Sequence, residues 1–109
     1  MNLIHGECLE QMDELIAQGV IVDAIITDPP YGTTACKWDS VIPFDEMWIR
    51  LNKLIKPNGA IVLFWSQPFT TKLINSNIEK FSHQWIWQKE QWANPLLANI
   101  MPMKNFEDI

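Results

Sequence analysis

An α/β fold, with a mostly parallel sheet and helices on both of its faces, is what this sequence predicts. Two observations carry that expectation. Short β-branched, apolar runs alternate with segments of helical period, and most of the runs stop at a glycine, a proline or an acid. The resulting order is strand, helix, strand, loop, helix, strand, helix, strand, which calls for right-handed crossovers between parallel strands. At 109 residues, 48% of them hydrophobic, the chain is about one small domain with little core to spare.

Residues 2–5 are a short apolar start ending at Gly6, and they read as a first strand. Leu9, Met12, Leu15 and Ile16 follow at the spacing of one helix face, which stops at Gly19. Residues 20–27 are apolar and β-branched apart from Asp23 and Ala24, as in a strand buried on both faces. Residues 28–43 have no usable period and form a loop, longer than compact domains usually keep without a purpose. Phe44, Met47, Trp48, Leu51, Leu54 and Ile55 mark an amphipathic helix, with Pro57-Asn58-Gly59 closing it. A strand over 60–65 leads through Ser66-Gln67-Pro68 into a helix carrying Phe69, Leu73, Ile74 and Ile78. Residues 81–89 alternate as a last strand, and 91–109 are irregular.

The net charge of −5 argues against strong sequence-independent affinity for nucleic acid, which rests on Lys and Arg neutralising phosphates. Cys8 and Cys36, the only cysteines, suggest neither a disulfide framework nor a zinc site, and no metal is expected. No stretch approaches the ~20 apolar residues of a membrane span, and no signal-peptide pattern opens the chain, so cytoplasmic solubility is the default expectation.

In a parallel sheet, ligands collect beyond the carboxyl ends of the strands, where Gly6-Glu7, Asp28 to Tyr31 and Ser66-Gln67 all fall. At such an end the Asp28 carboxylate accepts hydrogen bonds, and the Pro29 carbonyl is a second acceptor whose direction proline geometry restricts. Two fixed acceptors suit an amino group conjugated to an aromatic ring. Such a nitrogen is a poor nucleophile. Accepting both its hydrogens favours tetrahedral geometry and stabilises the positive charge that grows as it attacks an electrophilic carbon.

The run TDPPYG after VDAII resembles the catalytic motif of S-adenosylmethionine-dependent amino-methyltransferases acting on DNA. The following TTACKWDSVIPFDEMW is similar to phage and restriction-modification members of the adenine-N6/cytosine-N4 group. The resemblance implies a Rossmann-like methyltransferase fold, S-adenosylmethionine (SAM) as cofactor, and double-stranded DNA with a flipped base as partner. It further implies that Asp28 and Pro29 hold the amine, Pro30 shapes the turn, and Tyr31 stacks on the base. Glu7, with Cys8 beside it and Asp28, would meet the cofactor, whereas Glu7 read by itself is equally a helix N-terminal acid. Lys37 and Trp38 are candidate substrate contacts, and Lys89 and Lys104 candidate phosphate contacts.

Only 27 residues precede Asp28 and they contain no G-x-G, so the chain resembles the permuted DNA class, with catalysis first and the glycine-rich cofactor strand later. None of the four glycines, Gly6, Gly19, Gly32 and Gly59, forms a glycine-rich turn downstream. Residues 1–109 are accordingly expected to be a single partial domain, truncated to about four strands and three helices, and weakly active or inactive alone. The resemblance implies adenine over cytosine as the target, because Asp stands at position 28 where the cytosine enzymes often carry Ser. Cytosine-N4 specificity and a non-catalytic interaction module stay open, and an exposed sheet edge is expected to drive self-association. Trp65, Trp85, Trp87 and Trp92, at strand spacing, are expected in the core, and His5 and His83 in structural roles.

Overall fold

The computed structural model describes residues 1–32, 36–37, 40–93 and 104–109, with the backbone alone at 91–93, 104 and 105. Helix α1 (Cys8–Ala17) begins at Glu7, whose Oε2 accepts the Glu10 backbone N–H at 2.9 Å. It ends on Gly19, with φ of 74°, whose N–H donates to Ile16 O while the Val20 N–H donates to Leu15 O, both at 3.0 Å. These two bonds form a Schellman motif, and the left-handed residue it requires explains the glycine. Helix α2 (Phe44–Leu54) buries Met47, Leu51 and Leu54, with Asp45 and Glu46 in its first turn and Lys53 in its last, as the helix dipole favours. Arg50 ties the two helices, bonding Asp13 of α1 at 2.8 Å and Glu46 at 2.7 Å. The Asp13 carboxyl is thereby held below the usual carboxylate range, chiefly by its hydrogen bond from Arg50.

Strands β1 (Val22–Thr27) and β2 (Ile55–Leu63) pair in parallel, Ala24 opposite Ala60 and Thr27 opposite Leu63. Strand β2 starts directly at Ile55, so Pro57-Asn58-Gly59 lies within it, at a register shift, instead of closing the preceding helix. A Cβ on Gly59 would sit 2.5 Å from Ile55 Cδ1 and 2.8 Å from the Asp23 carbonyl oxygen, so the close approach of the strands is what demands glycine there.

Helix α3 (Phe69–Ser76) and a 3-10 turn (Ile78–Lys80) follow, and then strands β3 (Ile86–Ala93) and β4 (Lys104–Asp108) pair antiparallel. The two ladders meet at one bridge, where Trp65 and Asp108 exchange both backbone hydrogen bonds at 2.9 Å. The order across the structure is therefore β1, β2, β4, β3. Because β4 opposes both neighbours, β1, β2 and β3 share one direction, but only β1 and β2 pair in parallel and the other two pairings are antiparallel, so the mostly parallel sheet expected is realised only in part.

Three expectations are corrected. Residues 2–5 form no strand: Leu3 and Ile4 are exposed, and no described strand lies beside them to pair with. Strand β4 forms in the segment expected to be irregular, because the edge beside Trp65 and β3 supplies partners that its own sequence does not reveal. The described helices cover one face of the sheet, not both. Met12 of α1, Met47 and Leu51 of α2 and Leu73 of α3 join Ile25, Ile61, Leu63 and Trp65 in one cluster. The strands that α2 and α3 connect step in one direction, from β1 to β2 to β3, and connections of one hand, as the right-handed rule calls for, then lay both helices on the same side.

By strand alternation the other face carries Ala24, Ile26, Ala60, Val62 and Phe64, and Ile26 is 69% exposed. A closed monomer of this mass exposes about 6,200 Å². This chain exposes 8339 Å², and its radius of gyration of 15.8 Å exceeds the ~13 Å of a compact domain of its length. Among the described residues no helix is long and apolar enough to cross a membrane.

Candidate active site

The parallel register of β1 and β2 puts their carboxyl ends side by side, and the Phe64 N–H extends the ladder by donating to Thr27 O at 3.1 Å. Asp28 follows at the end of β1 with its side chain exposed, Pro29 is buried, and Pro30 and Tyr31 are half-buried. The motif thus stands at the lip of the sheet, as its position after an apolar β-branched run predicts, but that run is not the strand buried on both faces that was expected: Asp23, Ala24 and Ile26 are exposed, because the described helices cover one face only.

The Tyr31 hydroxyl reaches two acceptors, Asp28 Oδ1 at 2.8 Å and the Phe64 carbonyl at 3.1 Å. Its ring lies near-parallel to Phe69, 18° apart with centroids at 6.2 Å, and tilts against Trp65 at 5.4 Å. Burial pushes the phenol well above its ordinary range, and the hydrogen bond and charge of Asp28 add to the effect. Phe44 meets Trp65 edge-on at 5.7 Å, so elements on both sides of the loop hold the aromatic group in place.

Glu7 and Cys8 form a second, separate pair. The Cys8 thiol donates to Glu7 Oε1 at 3.5 Å, and both residues are exposed. Backbone N–H groups at the start of α1, Glu10 first, hold the Glu7 carboxyl below its usual range; burial first, then Glu7, pushes the Cys8 thiol up. The helix-cap reading of Glu7 is therefore realised. Among the described residues no hydrogen bond or ion pair joins this pair to Asp28 or Tyr31.

Lys37 is exposed, and Trp38 lies outside the described residues. Lys89 ion-pairs with Glu107 and sits 5.3 Å from the centroid of the Trp87 ring, so it is not a free phosphate contact. The Lys104 and Trp92 side chains lie outside what is described. Trp65 is buried as expected at 2% exposure, but Trp85 and Trp87 are 57% and 48% exposed. They lie on or beside β3, at the margin of the sheet, where no described element covers them. His5 and His83 are exposed, and His83 Nδ1 lies 2.9 Å from Ser82 Oγ.

Sequence reasoning missed Phe64 and Phe69 as supports of Tyr31, and the buried bond from Thr70 to Asp108 at 2.6 Å. The Phe64 role belongs to a backbone carbonyl and leaves no sequence signal. Phe69 reads in the sequence as a helix-face aromatic directly after the Ser66-Gln67-Pro68 turn.

A parallel β1–β2 pair with helices over one face and an acidic loop beyond its strand ends is an arrangement found in Rossmann-like folds. Among solved structures the chain is similar to the M1.HpyAVI–SAM complex, at 25% identity and a TM-score of 0.73, covering 98% of this chain and 50% of that one. A second M1.HpyAVI crystal structure matches at 23% identity and a TM-score of 0.70, covering 95% of this chain. The chain thus spans half the length of the proteins it matches. No family model and no curated protein matches its sequence.

Proposed function

We propose that this chain carries the amine-binding part of a SAM-dependent DNA methyltransferase whose target is adenine N6. The observation that carries the reading is an exposed Asp28 at the end of β1, followed by Pro29, Pro30 and Tyr31, on a framework similar to a SAM complex of M1.HpyAVI, a DNA methyltransferase. Asp28 and the Pro29 carbonyl accept the two amine hydrogens, Pro30 sets the turn, and the Tyr31 ring flanks the base. Lys37 and Trp38 contact the substrate strand. The base reaches this loop flipped out of the duplex, at a cost of a few kcal/mol.

SAM carries ammonium and hydroxyl donors, and the exposed carboxylates of Glu7 and Asp28 are acceptors of matching chemistry. Glu7, with Cys8 beside it, and Asp28 would hold the cofactor, which supplies an electrophilic methyl group. The work of the chain itself is to orient the amine nitrogen and to stabilise the charge that develops on it.

Because the chain is expected to be weakly active or inactive alone, the test uses it in molar excess over duplex DNA with methyl-tritiated SAM and identifies the labelled nucleoside from a single turnover. N6-methyladenine is expected, with Asp28→Ala lowering the rate by about 100-fold. Label at cytosine N4, in RNA or in protein would redirect the specificity. A second reading, an interaction module, is favoured by the face bearing Ile26, which no described element covers, and by the exposed Trp85 and Trp87. It expects concentration-dependent self-association through that surface, and a strictly monomeric species in sedimentation velocity at high concentration would count against it.

A further inference from the structure

Tyr31 touches more of the framework than a stacking platform needs to. Its ring is occupied by Trp65 and Phe69, and its hydroxyl lies between the ends of two strands. The Phe64 carbonyl is fixed by the β1–β2 ladder, since the Phe64 N–H already donates to Thr27 O. A phenol has one proton to give, and the closer acceptor is Asp28 Oδ1, at 2.8 Å against 3.1 Å for the carbonyl. Among the described residues Asp28 Oδ2 has no partner, and the side chain is exposed.

We propose that the Tyr31 hydroxyl is a positioning group: it pins Oδ1 of Asp28 against the sheet and so leaves Oδ2, in one fixed orientation, as the open acceptor for the amine. The inference rests on the reading that Asp28 binds an exocyclic amine, and it adds to any stacking by the ring. An unpinned carboxylate on an exposed side chain samples several rotamers and loses part of its hydrogen bond to that entropy. A pinned one is preorganised.

The test uses DNA hairpins carrying one unpaired base, either adenine or purine, the latter lacking the amine. The wild-type chain is expected to prefer adenine by about tenfold, the scale of one hydrogen bond to a charged acceptor. Tyr31→Phe keeps the ring, so its binding of the purine hairpin should be unchanged while the adenine preference falls to about twofold. Asp28→Ala should lower the preference to the roughly twofold that the Pro29 carbonyl alone supplies, and adding Tyr31→Phe to it should change nothing further. A Tyr31→Phe chain that discriminates like wild type, or that weakens both hairpins equally, overturns the proposal and leaves the amine-binding reading standing. A wild-type chain with no adenine preference removes both.

A second readout needs no ligand. Tyr31 is the only tyrosine, so phenolate absorbance reports on it alone. The wild-type phenol should stay protonated until alkaline unfolding, followed by far-ultraviolet circular dichroism, whereas Asp28→Asn should ionise at lower pH in the folded state. A wild-type phenol that ionises in its ordinary range while the chain is still folded would mean that its hydroxyl is not held by Asp28, and the positioning role would fall with it.

Discussion

Trp65 and Trp87 sit on neighbouring parts of one sheet, yet one is 2% exposed and the other 48%. Around Trp65, three helices and two parallel strands converge, and Tyr31, Phe44 and Phe69 touch its ring. Trp87 has the edge of Phe64 at 6.1 Å and the ammonium of Lys89. The difference lies in what covers the strand and not in the residue. Apolar strand side chains are buried where a crossover helix returns over them, and the β3–β4 pair has no such cover among the described residues.

Substitutions that attack the two regions separately should differ sharply. Trp65→Ala should have the largest effect, a loss of about 3–5 kcal/mol in urea unfolding, because it opens a cavity in the one described cluster. That is most of the ~5–15 kcal/mol that holds a domain together, so much of the chain should be unfolded in water. A loss below about 1 kcal/mol would mean that the cluster is not what stabilises the fold.

Thr70→Val attacks the joint between the regions. Thr70 and Asp108 are both buried, and the change removes the hydroxyl that satisfies Asp108 Oδ2 while keeping the shape. A cost of about 1–3 kcal/mol is expected. Amide exchange should rise in β3 and β4 before it rises in β1 and β2; uniform exchange would make the two ladders one cooperative unit.

Trp87→Ala should have the smallest effect, about 0.5–1.5 kcal/mol for a lost edge-to-face pair. A cost equal to that of Trp65→Ala would erase the contrast.

Much of this was legible in the text. The spacing of Phe44, Met47, Trp48, Leu51 and Leu54 marks α2, and Gly19 marks the end of α1, because helical period and left-handed caps are local properties. Asp28 and its prolines were placed at a strand end by the apolar, β-branched run before them. Strand β4 was not legible, because Lys104 to Asp108 forms a strand only where Trp65 and β3 offer backbone partners. The exposure of Trp85 was hidden for a related reason: alternation fixes which residues share a face, not whether anything covers it.

By itself the sequence determined that α1, α2, α3 and the β1 and β2 runs exist and that the Asp-Pro-Pro-Tyr run follows β1, all of which depend on residues near one another in the chain. Only the tertiary structure decided that the helices share one face, that Tyr31 gives its hydroxyl to Asp28 and the Phe64 carbonyl, and that Glu7 caps a helix apart from them. Phe64 lies 33 residues from Tyr31, and a hydrogen bond across that separation exists only once a parallel ladder has set two strand ends together.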